Sequence, residues 1–362
     1  MKVRALRWML APFWALQVFS EAKSFETNPI LGSMKLNRRG LHVWRARLSR
    51  RLTDARRRKL AHLVSREDRE LFAREGYVVK KNFAPPGLYR DLLAEIESMS
   101  ARAREFKEGD AITRRIALTP ETLKKLPACR RLLDLPEWRG LTRYVSSFDA
   151  DPIIFVQTIF TKVDESRRDP QTTMHMDTFH PTMKAWLFLH EVELQDGPFN
   201  YVPGSHKRSP RREVWERAKS VEASDPKVQR KGGAFRVTKP ELARMGYGKR
   251  VQLAVPGNTF VIADTSGFHA RGRSERPAAR IEIWAYSRRN PFIPWTGLDL
   301  GSAPPVKNRQ AVIAWWFMDL RGRLGFKTPL WRDAGAIGPS APPKPWFEKG
   351  VATPALGDAP KG

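Results

Sequence analysis

His175 and Asp177 stand one residue apart in QTTMHMDTFHPTMKAWLFLHEVELQDGPFNYVPGSHK, the stretch from Gln171 to Lys207. On an extended segment, positions i and i+2 point to the same side, so an imidazole and a carboxylate converge there. That pair is two thirds of the 2-His-1-carboxylate arrangement, which holds Fe(II) on one face and leaves positions open for a co-substrate and dioxygen. Alone it is a weak signal. A second histidine must come from elsewhere, and His269, in TFVIADTSGFHARGRS, follows an apolar run that reads as a strand. The next strand candidate, RIEIWAYS, opens with Arg280. Its guanidinium can pair bidentately with a carboxylate.

His175-x-Asp177, the segment LQDGPFNYVPGSHK, His269 and Arg280, in that order, resemble the phytanoyl-CoA dioxygenase family of Fe(II)/2-oxoglutarate oxygenases. The resemblance spans roughly residues 150 to 290, with weaker similarity upstream from SREDRELFAREGYVVKKNF. It implies that His175, Asp177 and His269 ligate iron and that Arg280 grips the distal carboxylate of 2-oxoglutarate. Trp186 and Gln157 match further co-substrate positions. The cofactor set implied is Fe(II), 2-oxoglutarate and O2, with succinate and carbon dioxide released as a substrate C–H bond is oxidised. Family members often carry a small hydroxyl residue two positions after the distal histidine, where this chain has Arg271. Halogenating relatives replace the ligand carboxylate by Gly or Ala, so Asp177 implies hydroxylation.

The chain has seven histidines, and His42, His62, His190 and His206 read as surface or satisfied core residues. His180, just before Pro181, is a candidate substrate contact beside the metal. Lys184, Arg114 and Arg115 are candidates for meeting an anionic substrate.

The elements that position these residues are legible in pattern. Ser65-Arg66-Glu67-Asp68 marks a helix start with acids in its first turn, and the helix stops at Gly76. YVVKKNF reads as a strand, and Pro85-Pro86-Gly87 opens a long helix from Leu88 to about Arg104. Residues 109–118 are strand or loop at the cavity rim. Leu123 to Phe148 is largely helical, broken at Pro127 and Pro136. Strands are expected over 152–163, 183–192 (with Lys184, Trp186 and Phe188 on one face), 199–202 and 280–287. Residues 251–255 and 259–263 read as a hairpin about Pro256-Gly257-Asn258. The class is mainly β with flanking helices (α+β). Two antiparallel sheets of a jelly roll can place the inner faces of these strands around one pocket, and the resemblance implies the same double-stranded β-helix.

The organisation expected is a basic N-terminal region, 1–64, an oxygenase domain, 65–300, with an insertion at 211–247 placed to cap the mouth, a helical extension, 301–334, and a disordered tail, 335–362. The aromatics of the 310–320 helix, Trp315, Trp316 and Phe317, read as packed on the domain. Residues 1–22 combine Lys2, Arg4 and Arg7 with an apolar run from Trp8 to Phe19 that is short of the ~20 residues a membrane span requires. Three readings stay open for them: an interfacial helix, a segment packed on the domain, and a cleaved signal. Residues 23–60 are rich in arginine with almost no acids, and this face could meet phospholipid headgroups or, second in order, nucleic acid.

With 65 Lys+Arg against 38 Asp+Glu, the 362-residue chain has a formal charge of +27, and 41% hydrophobic content supports a real core. Charge of that size favours anionic partners. The single cysteine, Cys129, excludes an intramolecular disulfide framework and fits a reducing compartment. The expectation is a cytoplasmic dioxygenase, peripheral on the inner leaflet, acting on an anionic small-molecule or lipid-type substrate. Two rivals are a nucleic-acid demethylase with the same iron chemistry and a non-catalytic basic membrane-associated scaffold. The intact triad and Arg280 speak against the scaffold.

Overall fold

A computed structural model describes residues 11–163, 167–228, 233–298, 301, 303, 305–326 and 330–345. Its centre is an eight-stranded antiparallel sheet in the order β1-β8-β5-β10-β4-β3-β2-β11. The strands are β1 (Tyr77–Lys80), β2 (Ala101–Glu108), β3 (Ala111–Ala117), β4 (Ile153–Thr161), β5 (Met183–Phe188), β8 (Thr259–Asp264), β10 (Ala278–Ser287) and β11 (Arg332–Ile337). A smaller sheet, β7-β6-β9, joins β7 (Val251–Leu253), β6 (Phe199–Tyr201) and β9 (His269–Arg271). Together they form a double-stranded β-helix with helices on one face.

Alternation along each strand divides the large sheet into two faces. On the outer face Ile116, Val156, Ala185, Leu187, Ile262 and Ile283 pack against Leu92, Ile96, Leu132, Trp138, Leu141 and Val145. These come from helices α5 (Pro86–Ser98), α7 (Pro127–Asp134) and α8 (Pro136–Ser146); α4 (Arg66–Glu75) precedes α5, and α6 (Pro120–Leu123) precedes α7. Full burial of such side chains is worth about 1.5–3 kcal/mol each, and this layer fixes the sheet. The inner face carries Phe155, Trp186, Phe188, Val261 and Trp284, packed with Phe199 and Tyr201 of the small sheet.

α4 starts and stops where the sequence says. The Ser65 side chain accepts from Asp68 N, and Gly76 ends the helix at φ 89. Elsewhere the structure departs from expectation. The helix opened by Pro85-Pro86 ends at Ser98, and residues 101–108 are β2. Ala, Arg and Glu favour helix locally, but pairing with β3 on one side and β11 on the other overrides that preference. Residues 251–263 are no hairpin: β7 pairs with β6 in the small sheet and β8 with β1 and β5 in the large one. Asn258, at φ 57, turns the chain between the sheets. Its side chain exchanges two hydrogen bonds with Ala84, at 2.8 and 2.9 Å.

The C-terminal segment is also ordered as far as residue 345, where disorder is expected from 335 on. β11 adds to the sheet edge, and Arg114, fully buried, donates to the carbonyls of Gly338, Pro339, Ala341 and Pro342 as well as to Glu105. Residues 346–362 lie outside the described residues. Within α11 (Gln310–Arg323), Trp315 packs on Phe155, whereas Trp316 and Phe317 are exposed.

The N-terminal region packs on the same body. Helices α1 (Ala11–Gln17) and α2 (Met34–Arg38) precede α3 (Leu41–Lys59). Several arginines of α3 find acids and carbonyls far away in sequence. Arg45 donates to the carbonyls of Val18, Ser20 and Ala22, and Arg57 pairs with the buried Asp264. Residues 1–10 lie outside the described residues. The 211–247 insertion contains α9 (Pro210–Ala223) and α10 (Lys239–Met245). Trp215, Phe235, Leu242 and Met245 form a core with Phe25, Met176 and Phe268. Met176 and Phe268 neighbour the candidate metal ligands in sequence, so the insertion packs against those segments.

Candidate metal centre

His175, Asp177 and His269 meet at one point, each offering a ligand atom within 4.8 Å of the others. Main-chain pairing brings them there. His175 N donates to His269 O and His269 N to His175 O, both at 2.9 Å, which sets the two imidazoles side by side with centroids 4.6 Å apart. Asp177 N donates to Thr265 O at 3.0 Å. The intervening turn is held by Asp264, whose Oδ1 accepts from Ser266 and Thr182 and whose Oδ2 accepts from Arg50 and Arg57. Gly267 is obligatory in that turn, because a Cβ there would lie 2.0 Å from the Tyr201 hydroxyl oxygen.

The chemistry of the donor set fits a divalent metal. Each imidazole hydrogen-bonds through Nδ1 to a carbonyl, His175 to Thr173 at 2.7 Å and His269 to Gly267 at 2.9 Å. That fixes the tautomer and leaves both Nε2 lone pairs turned inward. Asp177 Oδ1 lies 3.7 Å from His175 Nε2 and 3.5 Å from His269 Nε2. His269 Nε2 is buried with no hydrogen-bond partner among the described residues, as expected of an atom shaped for metal. Burial, and then the neighbouring His269, push the His175 imidazole down to about 3, so it is neutral and ligand-ready at physiological pH. Burial works against ionisation of Asp177, but Lys184 and His269 hold its carboxyl well below the usual carboxylate range.

Arg280 lies on the inner face of β10, where Nε donates to Glu282 Oε2 and Nη1 to Gly197 O, both at 3.0 Å. Gln157 is its neighbour in the network, donating to Glu282 Oε1 at 2.6 Å and accepting from Arg115 Nε at 2.8 Å. Strand register puts Arg104, Arg115, Gln157, Glu282 and Phe188 in one transverse row on the inner face. The next row holds Phe155, Trp284, Trp186 and Val261. Trp186 is buried, 4.4 Å from Phe199 between ring centroids.

The two adjacent arginines expected to meet substrate part company. Arg115 turns inward, 4.0 Å over Trp284 and 4.6 Å over Trp331. Arg114 turns outward and is consumed by the C-terminal segment, because successive strand residues face opposite sides. His180 is buried beside Phe179, its Nδ1 bonded to Pro181 O at 3.0 Å. Lys184 binds Asp177. Arg271, at the position where a hydroxyl is common, pairs with Asp169 at 2.7 Å. His42 and His206 are core residues, and His62 and His190 are exposed.

Two functional residues had no place in the sequence reading. Glu282 was readable in principle, since a carboxylate within the apolar strand RIEIWAYS shares a face with Arg280. Lys23, whose Nζ donates to Asp177 O at 2.6 Å, carries no local signal at all.

The family model for phytanoyl-CoA dioxygenase matches residues 72–241. Over that segment the chain resembles the phytanoyl-CoA dioxygenase family. The enzyme class is that of the iron- and 2-oxoglutarate-dependent dioxygenases. No curated protein matches the chain. Among solved structures the chain is similar to the epimerase SnoN in complex with Fe3+, alpha-ketoglutarate and nogalamycin RO, with 18% identity and a TM-score of 0.41 over 67% of this chain and 92% of that one. HygX from Streptomyces hygroscopicus with nickel and 2-oxoglutarate bound gives 18% and 0.37 over 66% and 93%. EctD from S. alaskensis with 2-oxoglutarate and 5-hydroxyectoine gives 15% and 0.37 over 62% and 76%.

Proposed function

We propose that this dioxygenase hydroxylates a C–H bond of an anionic small molecule, with 2-oxoglutarate consumed to succinate and carbon dioxide. The observation that carries it is the complete ligand set, with Asp177 Oδ1 facing two inward imidazole nitrogens. His175, Asp177 and His269 would hold the iron, and Arg280, oriented by Glu282 and the Gly197 carbonyl, would take the far carboxylate of 2-oxoglutarate. When bound, iron with its co-substrate supplies the power to oxidise an unactivated C–H bond. The chain's own contribution is orientation and shielding: Phe155, Trp186 and Trp284 line the inner face and exclude water. Arg115 on that face, with Lys23 close enough to Asp177, Lys184 and Arg288 to feel their charges, favours a negatively charged substrate.

Anaerobic protein given Fe(II) and 2-oxoglutarate should develop a visible metal-to-ligand charge-transfer band that His175→Ala or Asp177→Ala abolishes. Succinate release should then rise more with anionic candidates than with neutral analogues of the same skeleton. Absence of iron binding would refute the enzyme, and preference for neutral analogues would refute the substrate class.

A second reading, peripheral attachment to an anionic membrane, is favoured by one patch. Phe13, Leu16, Phe19 and Trp44 are 56%, 72%, 51% and 44% exposed, and Arg51 and Arg58 are exposed on the same helix as Trp44. Among the described residues no helix is long and apolar enough to cross a membrane.

A further inference from the structure

The second oxygen of Asp177 has a partner of its own. Lys184 Nζ lies 2.7 Å from Asp177 Oδ2, while Oδ1 faces the two histidines. The position is an unusual one for a lysine. It sits within β5, a central strand of the large sheet, on the inner face, between Tyr286 of β10 and Ala263 of β8. Its side chain is 26% exposed, so the stem is packed and the ammonium has little freedom. An exposed ion pair would be weak and would hold no geometry. Here both partners are anchored, Lys184 by the sheet and Asp177 by its main chain, which donates to Thr265 O and accepts from Lys23.

We propose that Lys184 is a positioning residue of the metal centre: by engaging Asp177 Oδ2 it restricts the carboxylate to a single metal-facing oxygen, Oδ1. A carboxylate can bind a cation through one oxygen or both. If both were available, Asp177 would take an additional position and leave fewer for a chelating co-substrate and dioxygen, which the facial arrangement must keep open. The histidines are tied in the same way, each through its second nitrogen to a carbonyl. All three ligands thus have the atom that does not face the metal already occupied. This role rests on the metal centre proposed above.

The test is Co(II) binding to the full chain, read by equilibrium titration and by the visible d–d spectrum, in wild type, Lys184→Met and Lys184→Arg. Lys184→Met frees Oδ2 while also removing a nearby cation. A freed Oδ2 adds a donor atom to the metal, and loss of a repelling charge also favours binding. Co(II) affinity is therefore expected to be unchanged or raised in Lys184→Met, and the coordination decides. Positioning predicts an altered d–d spectrum in Lys184→Met and 2-oxoglutarate bound about 10–100-fold more weakly by the Co(II)-loaded protein, with Lys184→Arg restoring both. A d–d spectrum superimposable on that of wild type, or an unchanged affinity for 2-oxoglutarate, would overturn the proposal while leaving the metal centre standing. A wild type that binds no Co(II) or Fe(II) would overturn both. Should Lys184→Met lack a cooperative melt, Lys184→Gln is the neutral variant to which the same two outcomes apply.

Discussion

His175 and His269 exchange both of their main-chain hydrogen bonds, each at 2.9 Å, so the two candidate imidazole ligands are placed by the backbone. The centre should therefore survive metal removal. Chelation is expected to leave far-UV circular dichroism unchanged. The unfolding free energy should fall only by the binding contribution, about 2.7 kcal/mol for metal held at 100 times its Kd. Loss of secondary structure on chelation would show that metal builds the site.

Arg280 should govern co-substrate affinity. A hydrogen bond to a charged group is worth about 1.5–3 kcal/mol, so Arg280→Ala should weaken 2-oxoglutarate binding by roughly 10–150-fold, measured anaerobically with Fe(II). Arg280→Lys keeps the charge without the planar fork and should recover only part. An unchanged affinity in Arg280→Ala would place the anchor elsewhere, although Lys184 and Arg271 are already paired with Asp177 and Asp169.

Acid should destabilise the fold earlier than carboxylate titration requires. Burial pushes His42 down to about 4 and both His180 and His206 down to about 3. Below the ordinary value near 6.5 the unfolded chain binds protons that the folded chain does not. Stability is then lost as pH falls from about 6.5 toward 3–4, by up to ~1.4 kcal/mol per pH unit for each histidine. Thermal melts of metal-free protein across that window should show the slope, and His206→Asn should flatten it. A flat profile from pH 6.5 to 5 would contradict this.

The exposed patch at Phe13, Leu16 and Phe19 should carry any vesicle binding. Co-sedimentation with anionic vesicles at low salt, partly reversed at high salt, is expected, because screening acts over about 8 Å at physiological ionic strength. Replacing all three by Ser should weaken it and leave Fe(II) binding intact. Equal binding to neutral vesicles would remove the electrostatic component.

The cluster of His175, Asp177 and His269 was legible as a candidate metal centre because three residue types with hard chemical requirements sit in motifs. The two faces of β5 were legible because Lys184, Trp186 and Phe188 alternate with Ala185, Leu187 and Leu189. Strand residues that depend on distant partners were not. Residues 101–104 look helical until β3 and β11 flank β2, and Pro256-Gly257-Asn258 looks like a hairpin turn until its two strands enter different sheets. The arginines of α3 look solvated because the acid that takes Arg57, Asp264, lies 207 residues away. Local pattern reports local energies, and these positions are decided by tertiary ones.

That dependence on distant partners has a kinetic side. The Lys23 contact to Asp177 closes 154 residues, the Arg50 contact to Asp264 closes 214, and the Arg114 grip on Ala341 closes 227. Pairings so far apart in sequence slow folding, because the entropy of loop closure is spent before the contacts can return it. During refolding from denaturant, circular dichroism should recover ahead of the charge-transfer band given by Fe(II) and 2-oxoglutarate. A newly made chain would then pass through a period in which it has its sheets but no competence to hold iron.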